Sequence, residues 1–575
     1  MRITTTIAGM LLLLFVSVSG KCQAINAEDV QVQQLIMRLN ADTDNLDRVY
    51  IFKNSPEYFQ RLGLFYQEFL QLLQGVRFDG LSVSGQVDYV LLKRNIGYAQ
   101  QQLKEAEAVY GQVAGWAPFA PSIIALQQQR RRGKSLDGAA VADTLMAVKA
   151  AIKKAGVVVS KATAFTPEQG RMLRAVTDEL KKGLQHTFSF YNGYDPQFSW
   201  WVKTAYEETD SLLGVFERTV AKKIASIPAA AVDSSGIKGQ PIGSAALQQL
   251  LRYEMIPYNA DQLVEIANKE FAWCDVEMRK AAKEMGFGDD WKKALEKIKQ
   301  HYVEPGKQPE LINRLAEEAI AYIEKHDLVT VPPLAKESWR MSMLSVEQQR
   351  FAPFFLGGES ILIAYPTDEM DSETKQMSLR SNNYGFAHAT VFHELIPGHN
   401  LQGFMNRRYK PYRGIFRTPF SVEGWALYWE MLLWDKGFHA TPEEKVGALF
   451  WRMHRCARIL FSLNYHLGKW TPQQCIDFLV ERVGHERFSA TSEVRRSFEG
   501  NYGPLYQVAY MMGGLQLRAL HHEIVDSGKM TDKQFHDAFL QENVIPIEMF
   551  RAIITRKKLK PDYQTEWYFA GTPGN

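Results

Sequence analysis

Residues Thr390–Gln402 read T-V-F-H-E-L-I-P-G-H-N-L-Q and place His393, Glu394 and His399 within seven positions. Phe392, Leu395, Ile396 and Leu401 surround them with apolar surface. Neutral imidazoles ligate zinc, and a carboxylate beside them can take the proton from a water that attacks a carbonyl. The side chains of this stretch therefore suit hydrolysis at a metal ion.

The spacing departs from the regular H-E-x-x-H form of that chemistry, in which two histidines four apart share one helix face. Residues four apart on an α-helix differ by about 40° in azimuth, whereas residues six apart differ by about 120°. His393 and His399 cannot chelate one ion from an undisturbed helix. Pro397 and Gly398 stand between them; proline removes a helical hydrogen bond and glycine accepts unusual dihedrals. Two readings stay open on residue types alone. A broken turn swings His399 back toward His393, or the helix ends at Ile396–Pro397 and leaves two unrelated histidines. His388, five residues before His393, is a substitute ligand for the case in which His399 points away.

A hydrolytic zinc takes three protein ligands and keeps one position for water. Glu423, in S-V-E-G-W-A-L-Y (Ser421–Tyr428), starts an otherwise apolar helix where an unpaired carboxylate is costly to bury. Zinc is one partner for it, and Arg417 is the plainer alternative. Glu430, two helical turns on, is placed to orient a ligand histidine from behind.

The elements that must carry these groups are mostly helical. The chain has 575 residues, enough for several domains, with the 46% hydrophobic and 23% charged fractions of a water-soluble globular protein. Leu263, Ala267, Phe271, Cys274, Met278, Ala281 and Met285 recur at spacings of three and four, which predicts a helix over 259–285 capped by Asn259 with Gln262. Comparable patterns cover 57–73, 98–113, 143–154, 167–188 and 200–225, and later 386–405, 421–433, 445–466, 472–483 and 505–522. Ala229–Gly243 reads as a surface loop, and Val329–Pro333 as the passage between a helical scaffold half (25–330) and a metal-binding catalytic half (331–575). Ile361–Tyr365 is one of few strand-like runs, either internal to a small sheet or free to pair with an extended peptide. The expected class is mainly α with a minor β element. Arg130–Ser135 ends in G-K-S but lacks the first glycine of a phosphate loop, and the aromatics Phe188, Tyr191, Tyr194, Phe198, Trp200 and Trp201 suit inter-helix packing.

The first 24 residues read as a secretory signal: Arg2, an apolar run from Ile7 to Val18, then small residues. Removing them takes away two cations and no acid, so the formal net charge falls from +3 to +1. That balance gives no reason to expect nucleic-acid binding. No later run is apolar enough to span a membrane. Export to the periplasm or the extracellular medium is expected. Cys274 falls on the apolar stripe of its helix, while Cys456 and Cys475 could pair.

With H-E-L-I-P-G-H at His393–His399 and Gln402, V-E-G-W-A-L-Y at Val422–Tyr428, R-C-A-R-I-L-F-S-L-N-Y-H at Arg455–His466, and P-L-Y-Q-V-A-Y-M-M-G at Pro504–Gly513, the chain resembles the bacterial domain of unknown function 885. Those proteins are grouped with zinc metallopeptidases of the H-E-x-x-H type, and the two-residue expansion between the histidines is usual for them. Ser462 stands where the family often has Asp. The resemblance implies a large helical, zincin-like peptidase body with a deep cleft that takes short peptides. It implies His393, His399 and Glu423 as ligands of Zn2+ and Glu394 as the general base. His466 and Tyr510, in the downstream motifs, become candidate donors to the tetrahedral intermediate; their plainer readings are a helix end and a buried, satisfied tyrosine. The expected activity is hydrolysis of peptide bonds by a metal-activated water. A non-catalytic helical binding protein with a vestigial metal site, and a metal hydrolase of non-peptide amides or esters, are the competing readings.

Overall fold

Helix starts written into the sequence are used as written. Thr166, Asn259, Thr441, Thr471 and Thr531 each accept a hydrogen bond from the backbone N–H three residues on, where Gln or Glu reaches back to the cap. Each such box satisfies two backbone donors that a helix start leaves unpaired. The Asn259 helix runs from Ala260 to Glu284 and buries Leu263, Ala267, Phe271, Cys274, Met278 and Ala281, as its periodicity requires. The structure is a computed structural model describing residues 26–226, 233–500 and 502–571. The signal-like segment and part of the 229–243 stretch lie outside them; within that stretch, 233–242 carries no helix.

The protein is mainly α, with one small sheet among the described residues. Strand β1 (Arg340–Met343) pairs in parallel with β2 (Ser360–Ile363), Arg340 opposite Ser360 and Met343 opposite Ile363. Leu356 bridges Leu362 on the other side through two backbone hydrogen bonds of 3.0 and 2.7 Å. The run is therefore internal, and its backbone at Leu362 is already paired.

One core is built wholly from residues between Phe52 and Val220, but others join distant parts of the chain. Leu35, Phe65, Phe69 and Leu91 near the start pack with Ile545 and Met549 near the end. The Ala260–Glu284 helix packs on the long Pro442–His466 helix in the largest core. A buried clamp ties the early Val83–Val113 helix to the second half: Arg413 Nε donates to Asp88 Oδ1 at 2.7 Å, and Tyr412 Oη donates to Asp88 Oδ2 at 2.9 Å. Burial raises Asp88, yet the Arg413 guanidinium gives the carboxylate a partner that makes burying the charge tolerable.

Phe188 stacks on Tyr206, and Tyr191 and Phe198 are buried, so half of the aromatic run is packing; Tyr194, Trp200 and Trp201 are exposed. Cys456 and Cys475 do not pair. All three described cysteines are free and buried, with Cys456 against Cys274, because successive turns of the long helix turn it toward the Ala260–Glu284 helix. No described helix is long and apolar enough to cross a membrane.

Candidate metal centre

The helix that carries His393 is capped at its start by Asn383, whose side chain accepts from Phe386 N at 3.0 Å, and runs from Tyr384 to Glu394. A second helix starts at His399 and continues to Asn406. Between them the chain doubles back. Gly398 N donates to Phe392 O at 3.0 Å, and a Cβ at position 398 would collide with the His393 carbonyl. Only glycine permits that approach. Trp425 Nε1 fixes the reversal by donating to Pro397 O at 2.8 Å. The imidazoles of His393 and His399 end 4.8 Å apart, centroid to centroid, and perpendicular.

The Glu423 helix (Pro419–Asp435) is held to this reversal by Gln402, whose Nε2 donates to Ser421 O at 3.0 Å. Glu423 Oε2 lies 3.1 Å from His399 Nε2 and 4.0 Å from His393 Nε2. One donor atom from each of the three residues falls within 4.8 Å of the others. Two ligands about 2.1 Å from a tetrahedral ion stand about 3.4 Å apart, so these separations bracket what zinc requires. Glu423 Oε2 is buried with no well-aligned hydrogen-bond donor, while Tyr506 Oη donates to Oε1. A carboxylate with one oxygen held and one left open toward two imidazoles fits a cation. Arg417, the alternative partner, forms no ion pair with Glu423 among the described residues and instead lines the cleft.

Behind His393, Glu430 Oε1 lies 2.7 Å from Nδ1 and accepts from Arg455 Nη2 at 3.0 Å. A carboxylate this near Nδ1, though off the line of a well-aligned hydrogen bond, favours the proton on that nitrogen and leaves the Nε2 lone pair for an ion. Burial opposes the charge on Glu430, but Arg455 and His393 more than offset it and hold its pKa below the usual carboxylate range. Glu423 behaves likewise: burial works against it, while His399, His393 and the Tyr506 hydroxyl hold it ionised. Glu394 differs. Burial dominates its surroundings and pushes its pKa up, which suits a group that must take up a proton and give it back.

Glu394, His399 and Glu423 line a cleft of about 640 Å³. Tyr510 lines it too; its ring is nearly parallel to that of His393 at 6.3 Å, and Arg455 and Arg458 lie over it at 5.0 and 4.3 Å. Burial and Glu423 raise the Tyr510 pKa, so its hydroxyl stays protonated and can donate. The tyrosine helix (Tyr506–His521) reaches this position because Gly424 and Gly513 meet face to face; a Cβ on either would strike the other helix's backbone.

His466 does not join this group. It is not among the residues lining the cleft, and its ring packs by Tyr465 and Phe498 with both nitrogens unpaired. Burial lowers its pKa to about 4, so it stays neutral near pH 7. The cause is its place at the last turn of the long helix, away from the Arg455–Arg458 turns that face Tyr510. His388 is stacked on Phe438 and pairs with His439 at 3.2 Å. His454 is fully buried and pairs with His485 at 2.9 Å. Ser462 Oγ reaches Pro504 O at 3.4 Å. The sequence reading gave no role to Tyr506, Arg455 or Arg458. Tyr506 had a usable signal, since it sits one helical turn before Tyr510 on the same face. A second cluster, His521–Asp532–His536, is not a competing metal site. Both ring nitrogens of His536 are engaged, at 2.7 Å each, with Tyr428 Oη and Leu328 O.

The fold and site thus define a large, mainly helical protein with a two-histidine, one-glutamate cluster and a further glutamate in a cleft. Residues 48–554 match the bacterial proteins of unknown function DUF885, and the chain belongs to that family. No curated protein matches the sequence. Among solved structures, it is similar to a protein from Shewanella oneidensis described as a candidate lipoprotein of unknown function. The two share 15% identity over 91% of this chain and 99% of that one, with a TM-score of 0.63. A candidate lipoprotein from Colwellia psychrerythraea gives 16% identity over 92% and 99%, with a TM-score of 0.57. At these identities the likeness is one of fold.

Proposed function

We propose that this protein is an exported, zinc-dependent peptidase that hydrolyses peptide bonds in short peptides. The observation that carries the reading is the convergence of His393, His399 and Glu423 within 4.8 Å, beside the buried carboxylate of Glu394. The three would hold the ion, which when bound acts as a Lewis acid toward the scissile carbonyl and the attacking water. Glu394 takes one proton from that water as its oxygen adds to the carbonyl carbon. The C–N bond then breaks and Glu394 returns the proton to the leaving amine. Tyr510 Oη donates to the oxygen on which negative charge develops. Glu430 orients His393, and Tyr506 fixes the free rotation of Glu423. A cleft of about 640 Å³ is of the size that takes a few residues of an extended peptide. Export is supported by the signal-like start of the chain and by the description of both structural neighbours as candidate lipoproteins.

The test is cleavage of a defined peptide library, read by mass spectrometry with and without chelator, alongside the metal content of the purified protein. Zinc near one equivalent, and chelator-sensitive cleavage that Glu394→Gln abolishes without losing zinc, are expected. Wild-type cleavage by Glu394→Gln would overturn the base assignment. A zinc-loaded protein that cleaves no peptide but does cleave simple amides or esters would move it to another hydrolase class.

A further inference from the structure

The charged residues lining the cleft are unevenly distributed. Its cations are all arginine: Arg340, Arg407, Arg408, Arg417 and Arg496. Its acids are Glu359, Glu394 and Glu423, and the last two belong to the metal centre. Glu359 is taken up between Arg340, at 2.9 Å, and Arg407. Arg496 is buried, bound through Nη2 to Tyr502 Oη at 2.9 Å and 3.6 Å from Glu493. Arg408 lies on the Phe404 ring and donates to the Phe404 carbonyl at 2.6 Å. Arg417 alone among these has no side-chain hydrogen bond or ion-pair partner among the described residues, and it stands two positions before the helix that supplies Glu423.

A guanidinium presents a planar fork of donors that matches a carboxylate in two parallel hydrogen bonds. Water-filled clefts lined by one sign of charge concentrate ligands of the other sign. The mature chain is almost neutral, so an excess of cations at this one mouth is local. We propose that the mouth of the cleft recognises a peptide carboxylate, with Arg417 as its principal anchor, so that the preferred substrates are anionic short peptides. This deepens the peptidase reading and rests on it. The carboxylate could be the free C-terminus, which would make the enzyme act near that end, or an acidic side chain. Arg417 is assigned here as a specificity-determining residue.

The experiment measures binding, so that it reads something other than turnover. Zinc-loaded Glu394→Gln protein is titrated against labelled pentapeptides in matched pairs, by fluorescence polarisation. One pair differs in a C-terminal acid or amide, and the other, amidated in both members, in an internal Glu or Gln. At least one anionic member should bind about tenfold tighter than its neutral twin. That preference should shrink as ionic strength rises, and adding Arg417→Gln should remove it while the neutral twin binds as before. Whichever pair responds identifies the source of the carboxylate. Equal affinity within both pairs, or no binding by any peptide, overturns carboxylate recognition. A preference that survives Arg417→Gln overturns the anchor. Library cleavage by the wild-type protein separates the two levels: cleavage without acid preference sinks this inference alone, and no cleavage sinks the peptidase reading.

Discussion

His393 Nδ1 and a carboxylate oxygen of Glu430 lie 2.7 Å apart, on two helices that meet only through tertiary packing. Glu430 is two helical turns beyond Glu423, so a single helix face supplies both a candidate ligand and the group that orients another ligand. Removing the charge while keeping the shape should weaken the metal without unfolding the site. Glu430→Gln is expected to lower zinc affinity about 10–100-fold, measured by competition with a chromophoric chelator. An unchanged affinity would show that His393 needs no such support.

The Tyr510 hydroxyl should matter to turnover and little to metal. Tyr510→Phe is expected to lower kcat by about 10²–10³, the usual effect of losing one donor to a developing oxyanion, with KM nearly unchanged. Tyr506→Phe should instead weaken zinc, since its hydroxyl donates to Glu423. Steady-state kinetics and metal titration on both variants separate the roles, and a reversed pattern would exchange them.

The Gly424–Gly513 approach has a stability signature. Adding one methyl forces two helix backbones apart in a packed core, which costs about 1–3 kcal/mol. Gly513→Ala, whose Cβ would strike the Phe420 carbonyl, should lower the denaturant midpoint accordingly and separate Tyr506 from Glu423. Wild-type stability for this variant would mean that the helices slide freely.

Acid should expose the buried cluster behind Tyr510. Glu493 is fully buried, accepting from Arg458 Nε at 2.7 Å and Gln507 Nε2 at 2.9 Å. Burial pushes its pKa up, but Arg458 and Arg496 more than offset this and bring it down to about 2. Its folded pKa is thus below its unfolded one. The unfolded chain binds the proton first, so this contribution is complete above about pH 4.5 and is lost as pH falls toward 2. The difference corresponds to roughly 3 kcal/mol. Unfolding free energy measured from pH 6 to pH 3 should fall less steeply in Glu493→Gln, which starts less stable at pH 6. Parallel pH profiles would contradict the assignment.

Much of this architecture is legible in the sequence because it is local. The Asn259 capping box, helical periodicity and the break at Pro397–Gly398 depend on neighbours a few residues away. The Asn259 helix begins where its signal stands, whereas the periods read at 98–113 and 445–466 belong to helices that start earlier, at Val83 and Pro442. Residue types also marked His393, Glu394, His399 and Glu423 before any distance was known. What residue order left open was whether a six-residue spacing could close on one point. The close approach of Gly398 to the His393 carbonyl closes it, together with the Trp425–Pro397 hydrogen bond between groups 28 positions apart. The same limit explains why His466 stands apart from the cleft. His466 lies in a motif with Arg455 and Arg458, yet a helix turns each residue of a motif to a different neighbour, and only packing chose which turns face Tyr510. Composition and period determined that this chain folds as helices bearing metal-capable side chains; which of those side chains share a cleft was decided by long-range backbone contacts, which leave no periodic trace in the order of residues.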